Sequence, residues 1–321
     1  MRFIRRAVNG CATACLFVVL TACQSTDPAT QDLAQRDVPD ATAVEATDNP
    51  APIAGPAAEP IDSESIVNAY NSRAASIQQI WTRAVLEAEW RENDRRRWEQ
   101  GDGVLILRKP RDLSLSIGKL GEVMFQIGGN NESYWFFELK PPQGEPTRLT
   151  IGRYDEGDAF AAGSEIGIGM RADELVGLLG VTPLPEGVTA DRTNGNDNAE
   201  YRLDWSDPVR GVDMVWLLDR EHRPVSISVQ TLGEDDELHL LEADLSRYER
   251  LEQSGVARGG WPWVATRIEV RIPERQAVMT LFLDNPSDGV ERSRVRDVQF
   301  DLDVLRQVYE PQRVFELGGG R

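Results

Sequence analysis

Apolar and polar positions along this chain follow two periods in turn. Val67, Tyr70, Ala74, Ile77 and Trp81 recur at steps of three and four, an apolar stripe that predicts an amphipathic helix, with Asp62 and Ser63 ready as N-caps. After it the period drops to two. Ala84, Leu86, Ala88 and Trp90 share one face of a predicted strand, followed by Leu113, Leu115 and Ile117, and then Val123, Phe125 and Ile127. Tyr134-Trp135-Phe136-Phe137 is aromatic on both faces, which predicts a strand covered from two sides. Gly101-Asp102-Gly103, Lys109-Pro110 and Gly128-Gly129-Asn130-Asn131 read as the breaks between these runs. Together they predict an antiparallel meander.

The second half repeats the pattern after an interruption. Ala172 to Leu179 predicts a short helix with Leu175, Leu178 and Leu179 inward, ended by Gly180 and Pro183. Residues 186 to 199 are polar and rich in Gly and Asn, and read as a long mobile loop. Alternation resumes at Tyr201-Leu203-Trp205, Val212-Met214-Trp216-Leu218 and Val225-Ile227-Val229. It continues through Ile268-Val270-Ile272, Met279-Leu281-Leu283 and Val298-Phe300-Leu302. The expected fold class is mainly β (α+β), with about ten to twelve strands and a few helices, and a sheet of that size must curl or close.

The first sixty residues share neither period. Arg2, Arg5 and Arg6 precede an apolar run from Cys11 to Leu20 that is too short to span a bilayer, the layout of a secretory signal. Leu20-Thr21-Ala22-Cys23 resembles the lipobox of bacterial lipoproteins. That resemblance implies a signal peptide over residues 1–22 and an acylated Cys23 that anchors the chain to a membrane. The bland alternative is an ordinary secretory signal with an accidental cysteine. Cys11 and Cys15 fall in the discarded part, so the mature chain has a single cysteine and no disulfide. Gln24, by analogy with Gram-negative lipoproteins, points to the outer membrane, facing the periplasm. Residues 24–61 are Ala, Pro, Thr, Asp and Gln with almost no large apolar side chain, and cannot offset the entropy of ordering. Residues 23–61 are therefore expected to be the lipidated cysteine and a disordered tether, and 62–321 the folded domain.

Charge narrows the partners. The chain carries −18 at pH 7, and removal of the signal's three arginines takes it to −21. Nucleic-acid binding needs a basic face and is not expected. The one basic run, Arg95-Arg96-Arg97, reads as a solvated turn, and so acidic a surface predicts attachment through the lipid rather than through anionic head groups.

The order of elements, with an amphipathic helix, a strand meander, a mid-chain helix and a second strand set, resembles the LolA/LolB superfamily of lipoprotein carriers and receptors. The stretch that carries the likeness runs from Gly101 to Leu139. It includes the Lys109-Pro110 turn before Asp112–Ile117 and the aromatic cluster Tyr134–Phe137. The likeness extends over residues 62 to 310, more loosely in the second half. It implies a large curved antiparallel sheet, an open half-barrel closed on its concave side by a few helices, with an apolar cavity for acyl chains of lipid or lipoprotein. Leu86, Trp90, Leu105, Leu107, Leu115, Phe125, Trp135 and Phe137 are the residues expected to line it; the plain alternative is an ordinary core. In the receptor branch the turn corresponding to Gly118-Lys119-Leu120-Gly121 carries an exposed, membrane-touching leucine, which singles out Leu120 against a hairpin residue folded back on the sheet. The carrier branch holds its lid with a buried arginine that the sequence does not place here. The long linker departs from the family's short tethers and weighs against this chain performing the transfer step itself.

Enzyme chemistry finds little support. His222 lies in a polar hairpin turn, His239 alternates with Leu238 and Leu240, and two histidines make a weak metal site. Glu234-Asp235-Asp236-Glu237 reads as a charged turn rather than a cation site. No Gly-x-Ser-x-Gly elbow, phosphate loop or dinucleotide fingerprint is present, and the expectation is a non-catalytic protein with no cofactor and no metal. Two functions stay open: an acyl-binding module on an envelope membrane, or an envelope scaffold of the same fold with a filled core that binds a protein partner. The oligomeric state stays open too.

Overall fold

The computed structural model describes residues 62–317, apart from 93–94, 142–144, 156–169, 194–197, 208–211 and 233–237. The signal, Cys23, the tether and the acidic run Glu234–Glu237 lie outside the described residues. The core described below belongs to the unit Ala58–Arg321.

Helix α1 (Ser63–Ser76) starts where the sequence placed it. The Asp62 carboxylate accepts from the Ser65 backbone N–H at 3.1 Å, and Ile66, Tyr70 and Ala74 are buried. The helix ends at Ile77, whose backbone is extended, so Ile77 and Trp81 continue the stripe into the exit and the first strand rather than along the helix. Six strands follow: β1 (Gln79–Glu92), β2 (Arg95–Arg108), β3 (Asp112–Lys119), β4 (Glu122–Gly129), β5 (Ser133–Glu138) and β6 (Arg148–Arg153). Helix α2 (Ala172–Leu178) comes next and ends at Gly180, with φ of +66°. A second meander runs through β7 (Thr189–Arg192), β8 (Tyr201–Asp207), β9 (Val212–Leu218), β10 (Pro224–Leu232), β11 (Leu238–Arg250), β12 (Trp263–Ile272) and β13 (Ala277–Ser287). Helix α3 (Leu302–Tyr309) and β14 (Arg313–Glu316) complete the unit.

Among the described residues the fourteen strands form one sheet, in the order β14-β6-β5-β4-β3-β2-β1-β13-β12-β11-β10-β9-β8-β7. Each meander is a wing, and the two wings meet where β1 pairs antiparallel with β13. All pairings are antiparallel except β14 with β6. The sheet does not close on itself, so the expected open half-barrel with helices is the architecture observed. Its inner face carries the main core, into which α1 and α2 pack. The outer face of the first wing is covered by α3, whose Leu305 packs with Trp135, Phe137 and Leu149.

Four local expectations are corrected. Gly101-Asp102-Gly103 is no turn but lies inside β2: a Cβ on Gly103 would stand 1.8 Å from the Ser116 carbonyl oxygen, so these glycines let β2 and β3 approach closely. Arg95–Arg97 belongs to β2 and pairs with β1, rather than forming a turn. Residues 186–199 contain β7, which its short, polar sequence Thr-Ala-Asp-Arg conceals from any periodicity argument. Val298-Phe300-Leu302 is not a strand. Asp301 caps a helix there, accepting from the N–H groups of Asp303 and Val304, and the alternation before it falls in a 3₁₀ turn.

Because β2 and β3 leave no room for a methyl group at Gly103, the Gly103→Ala chain is expected to lose about 1–3 kcal/mol of stability to overpacking. Gly177 in α2 has nothing within 4 Å of its absent Cβ, and Gly177→Ala is expected to gain up to about 1 kcal/mol through helix propensity. Urea unfolding midpoints of the two variants should move in opposite directions.

Candidate functional site: the inner face and its cavity

Strand alternation decides which of the expected lining residues meet. Leu86, Leu105, Leu107, Leu115 and Phe125 are buried in one inner-face cluster, and Trp90 packs against it at the end of β1. Trp135 and Phe137 do not join them. On β5 it is Tyr134 and Phe136 that face inward, while Trp135 and Phe137 point the other way, into the small core under α3. The period of two forbids all four aromatics of one strand from sharing a face. Phe125 and Phe136 stack at 5.8 Å on the inner side, whereas Phe137 meets Tyr309 of α3 at 5.0 Å on the outer one.

The inner cluster is tightly covered. Leu105, Leu107 and Leu115 have no accessible surface, and Leu175, Leu178 and Leu179 of α2 and its exit are buried in the same cluster. Open volume lies further across the inner face. A cavity of about 400 Å³ sits between α2 and the second wing. Val176 and Pro183 form one wall and Trp205, Met214 and Trp216 the other, with Arg111 and Asp173 among its polar lining residues. Its size lies within the range of small-molecule sites. Trp205 and Trp216 pack at 5.3 Å, and the edge of Trp216 meets Tyr70 at 5.3 Å and 84°. The Trp216 indole N–H is buried and has no hydrogen-bond partner in the protein. A second cavity, of about 280 Å³, lies by the β1–β13 seam and is walled by charged groups of both signs, including Arg294 stacked on Trp81 at 3.6 Å.

The cavity wall is held by α1. Tyr70 donates its hydroxyl to the Thr182 carbonyl at 2.7 Å, and Asn71 makes a reciprocal pair with Leu184, accepting from its N–H at 2.7 Å and donating to its carbonyl at 3.2 Å. Arg73 donates to the carbonyls of Gly180 and Trp263, each at 3.0 Å, while its guanidinium stacks on Tyr70 at 4.8 Å. One turn of α1 therefore ties the exit of α2 to β12 and fixes the segment bearing Thr182, Pro183 and Pro185. Arg73 sits where the sequence offered no assignment. It lies on the helix next to Tyr70 and Ala74, and only the fold brings residue 180 beside residue 73.

Burial shifts the titratable groups here. The Lys109 ammonium donates to the Ala74 carbonyl at the end of α1, yet desolvation, aided by the Arg73 charge, lowers its pKa to about 8. The favourable helix terminus does not offset the burial. Desolvation also holds the phenols of Tyr70, Tyr154 and Tyr248 well above their usual range.

Of the remaining expectations, Leu120 stands at the two-residue tip of the β3–β4 hairpin. Leu120 and Gly121 have φ of +55° and +85°, and the Leu120 side chain is 98% exposed. The alternative of a residue folded back on the sheet is thus overturned. His222 lies in the β9–β10 turn, stacked on Tyr201 at 5.5 Å and away from the cavity. Among the described residues no group of His, Cys, Asp and Glu is arranged to hold a metal ion, and no helix is long and apolar enough to cross a membrane.

In the unfolded chain Lys109 holds its proton to about 10.5, while the folded chain releases it near 8, so stability is expected to rise with pH across that interval. Above pH 10 the unfolded tyrosines ionise while the buried ones stay protonated, and the rise should turn into a fall. Urea midpoints measured from pH 7 to 11 check this. The Lys109→Met chain should lose the rising limb and keep the falling one.

No family model and no curated protein sequence matches the chain. Solved structures do. A DUF1329 family protein from Desulfovibrio piger is similar over 76% of this chain and 98% of its own, with a TM-score of 0.50 and 10% identity. A LolA superfamily protein from Nitrosomonas europaea and an outer membrane lipoprotein-sorting protein domain from Vibrio parahaemolyticus each match 76% of this chain, at TM-score 0.46 and 12% identity. They are covered over 99% and 98% of their own lengths. At 10% identity the likeness to the DUF1329 protein is one of fold alone.

Proposed function

We propose that this chain is an envelope lipoprotein, held by an acylated Cys23 on the periplasmic side of the outer membrane, whose half-barrel binds an acyl chain of lipid or lipoprotein without catalysis. The observation that carries the reading is the 400 Å³ cavity walled by Val176, Met214, Trp205 and Trp216. An apolar tail entering such walls is stabilised by roughly 0.8 kcal/mol per methylene removed from water. The fully exposed Leu120 gives the domain an apolar tip for touching a bilayer.

A specific observation favours the second reading, a scaffold with a filled core: most residues first expected to line the ligand site are sealed beneath α1 and α2. On the acyl-binding reading the ligand occupies the cavity between α2 and the second wing and leaves that sealed region packed.

The two readings separate in one titration. The chain from Gln24 onward should take up a fluorescent fatty acid, and Trp205→Glu should weaken uptake by about tenfold or more, because a carboxylate is costly to bury in an apolar wall. Absence of uptake by the unsubstituted chain would favour the scaffold. Acylation of Cys23 is checked independently by the mass of the full chain purified from a bacterial envelope.

A further inference from the structure

The far ends of β1 and β2 leave the sheet. On one side β1 last pairs with β13 at Glu89–Val278, and on the other β2 first pairs with β3 at Asp102–Gly118. Beyond those points the two strands pair only with each other, through Trp90–Arg97, Arg91–Arg96 and Glu92–Arg95. At about 3.4 Å per residue, β2 from Arg95 to Glu99 runs some 14 Å before it comes alongside the β3–β4 hairpin. Beyond Trp90, which packs against the inner core, the hairpin is exposed: Trp98 is 57% exposed, and Arg95, Arg96 and Arg97 are exposed beside it.

The arm points the same way as Leu120. Turns β1–β2 and β3–β4 lie at one end of the sheet, and the Lys119 ammonium reaches the Glu99 carboxylate at 3.3 Å, tying the Leu120 hairpin to the arm one residue from Trp98. The local charge departs from that of the whole. From Glu89 to Gly101 four arginines meet four carboxylates, so the arm is close to neutral in a chain whose net charge is −18. Glu89 on the arm's base engages Arg96 in an ion pair. Tryptophans beside arginines are the side chains that settle at a membrane interface, the indoles at head-group depth and the guanidiniums at the phosphates.

We propose that this arm is a contact site for anionic phospholipid head groups, Trp98 entering the interface while Arg95, Arg96 and Arg97 meet the phosphates. The proposal rests on the reading of the chain as membrane-anchored. It changes that reading in one respect: the acidic body is repelled by an anionic surface while the arm is drawn to it, so the domain is oriented with Trp98 and Leu120 toward the bilayer. The anchor sets the distance and the arm sets the direction.

The test uses the chain from Gln24 onward, which lacks the acylated cysteine and retains the whole of the compact unit Ala58–Arg321. It is floated with vesicles of equimolar phosphatidylglycerol and phosphatidylcholine, and with phosphatidylcholine alone. Binding is expected only to the anionic vesicles and is expected to weaken with added salt. Replacing Arg95, Arg96 and Arg97 together by Ser should weaken it by roughly tenfold or more, whereas replacing all three by Lys, which keeps the charge, should largely retain it. Trp98→Ser should weaken binding without changing its salt dependence. The arm lies outside the core, so all these variants should keep the parent's unfolding midpoint and its fatty-acid uptake. Equal binding by the Ser variant, or equal binding to neutral vesicles, would overturn the proposal. Loss of fatty-acid uptake by the parent chain would instead sink the cavity reading and leave the vesicle result standing, and an unacylated Cys23 in the envelope-purified chain would remove the anchor alone.

Discussion

The pairing of β1 with β13 is the contact on which the rest of the domain depends. Every other antiparallel pairing joins strands that are neighbours in sequence, so each wing can form by local hairpins. The β1–β13 ladder, from Ala84–Leu283 to Glu89–Val278, brings together residues nearly two hundred positions apart. Such a pairing gives up much chain entropy before any contact forms, and it is held by the apolar face that Ala84, Leu86, Leu281 and Leu283 bury together. The helix α1, which leads into β1, reaches across to β7 at the far edge of the second wing, where Ser63 accepts from the Ala190 N–H at 2.5 Å. Arg73 of the same helix reaches both Gly180 and Trp263.

That seam also explains where open volume is found. Close to it the two wings and α1 pack fully, and the buried leucines of β2 and β3 have no accessible surface. Farther out along the second wing α2 no longer follows the sheet, and the gap is walled by tryptophans whose rings are too large and rigid to close it. A curled sheet covered by short helices leaves room at its margin, and this molecule leaves it between α2 and β8–β9. On the outer face the same sheet is sealed by α3, so the two faces of β5 serve different ends: Tyr134 and Phe136 support the cavity side, and Trp135 and Phe137 hold the C-terminal helix.

At one end of the sheet the molecule is built differently. There the β1–β2 arm and the Leu120 hairpin extend past their neighbours and carry exposed Trp98 and Leu120. Trp98 and Leu120, at the same end and beside a run of arginines, give that end of the domain a distinct face.

Much of this was legible in the sequence, because both periods of the chain report faces. The step of three and four from Val67 to Ala74 marked α1, Asp62 marked its cap, and alternation marked most strands of both wings and hence an open β fold. Alternation also assigned Phe125 and Leu115 to one face and grouped Trp135 with Phe137, but only the register of β5 on β4, with Phe136 opposite Ile127, decided that this pair faces outward. What the sequence by itself determined, therefore, was which residues form strands and helices and which side of each is apolar, since these follow from local sterics and the transfer of side chains from water. What only the tertiary structure decided was which apolar faces meet. Arg73 beside Gly180, Trp216 against Tyr70, and the register that carries Trp98 past the last pair of β2 with β3 all depend on how separate segments meet, and no local pattern encodes those distances.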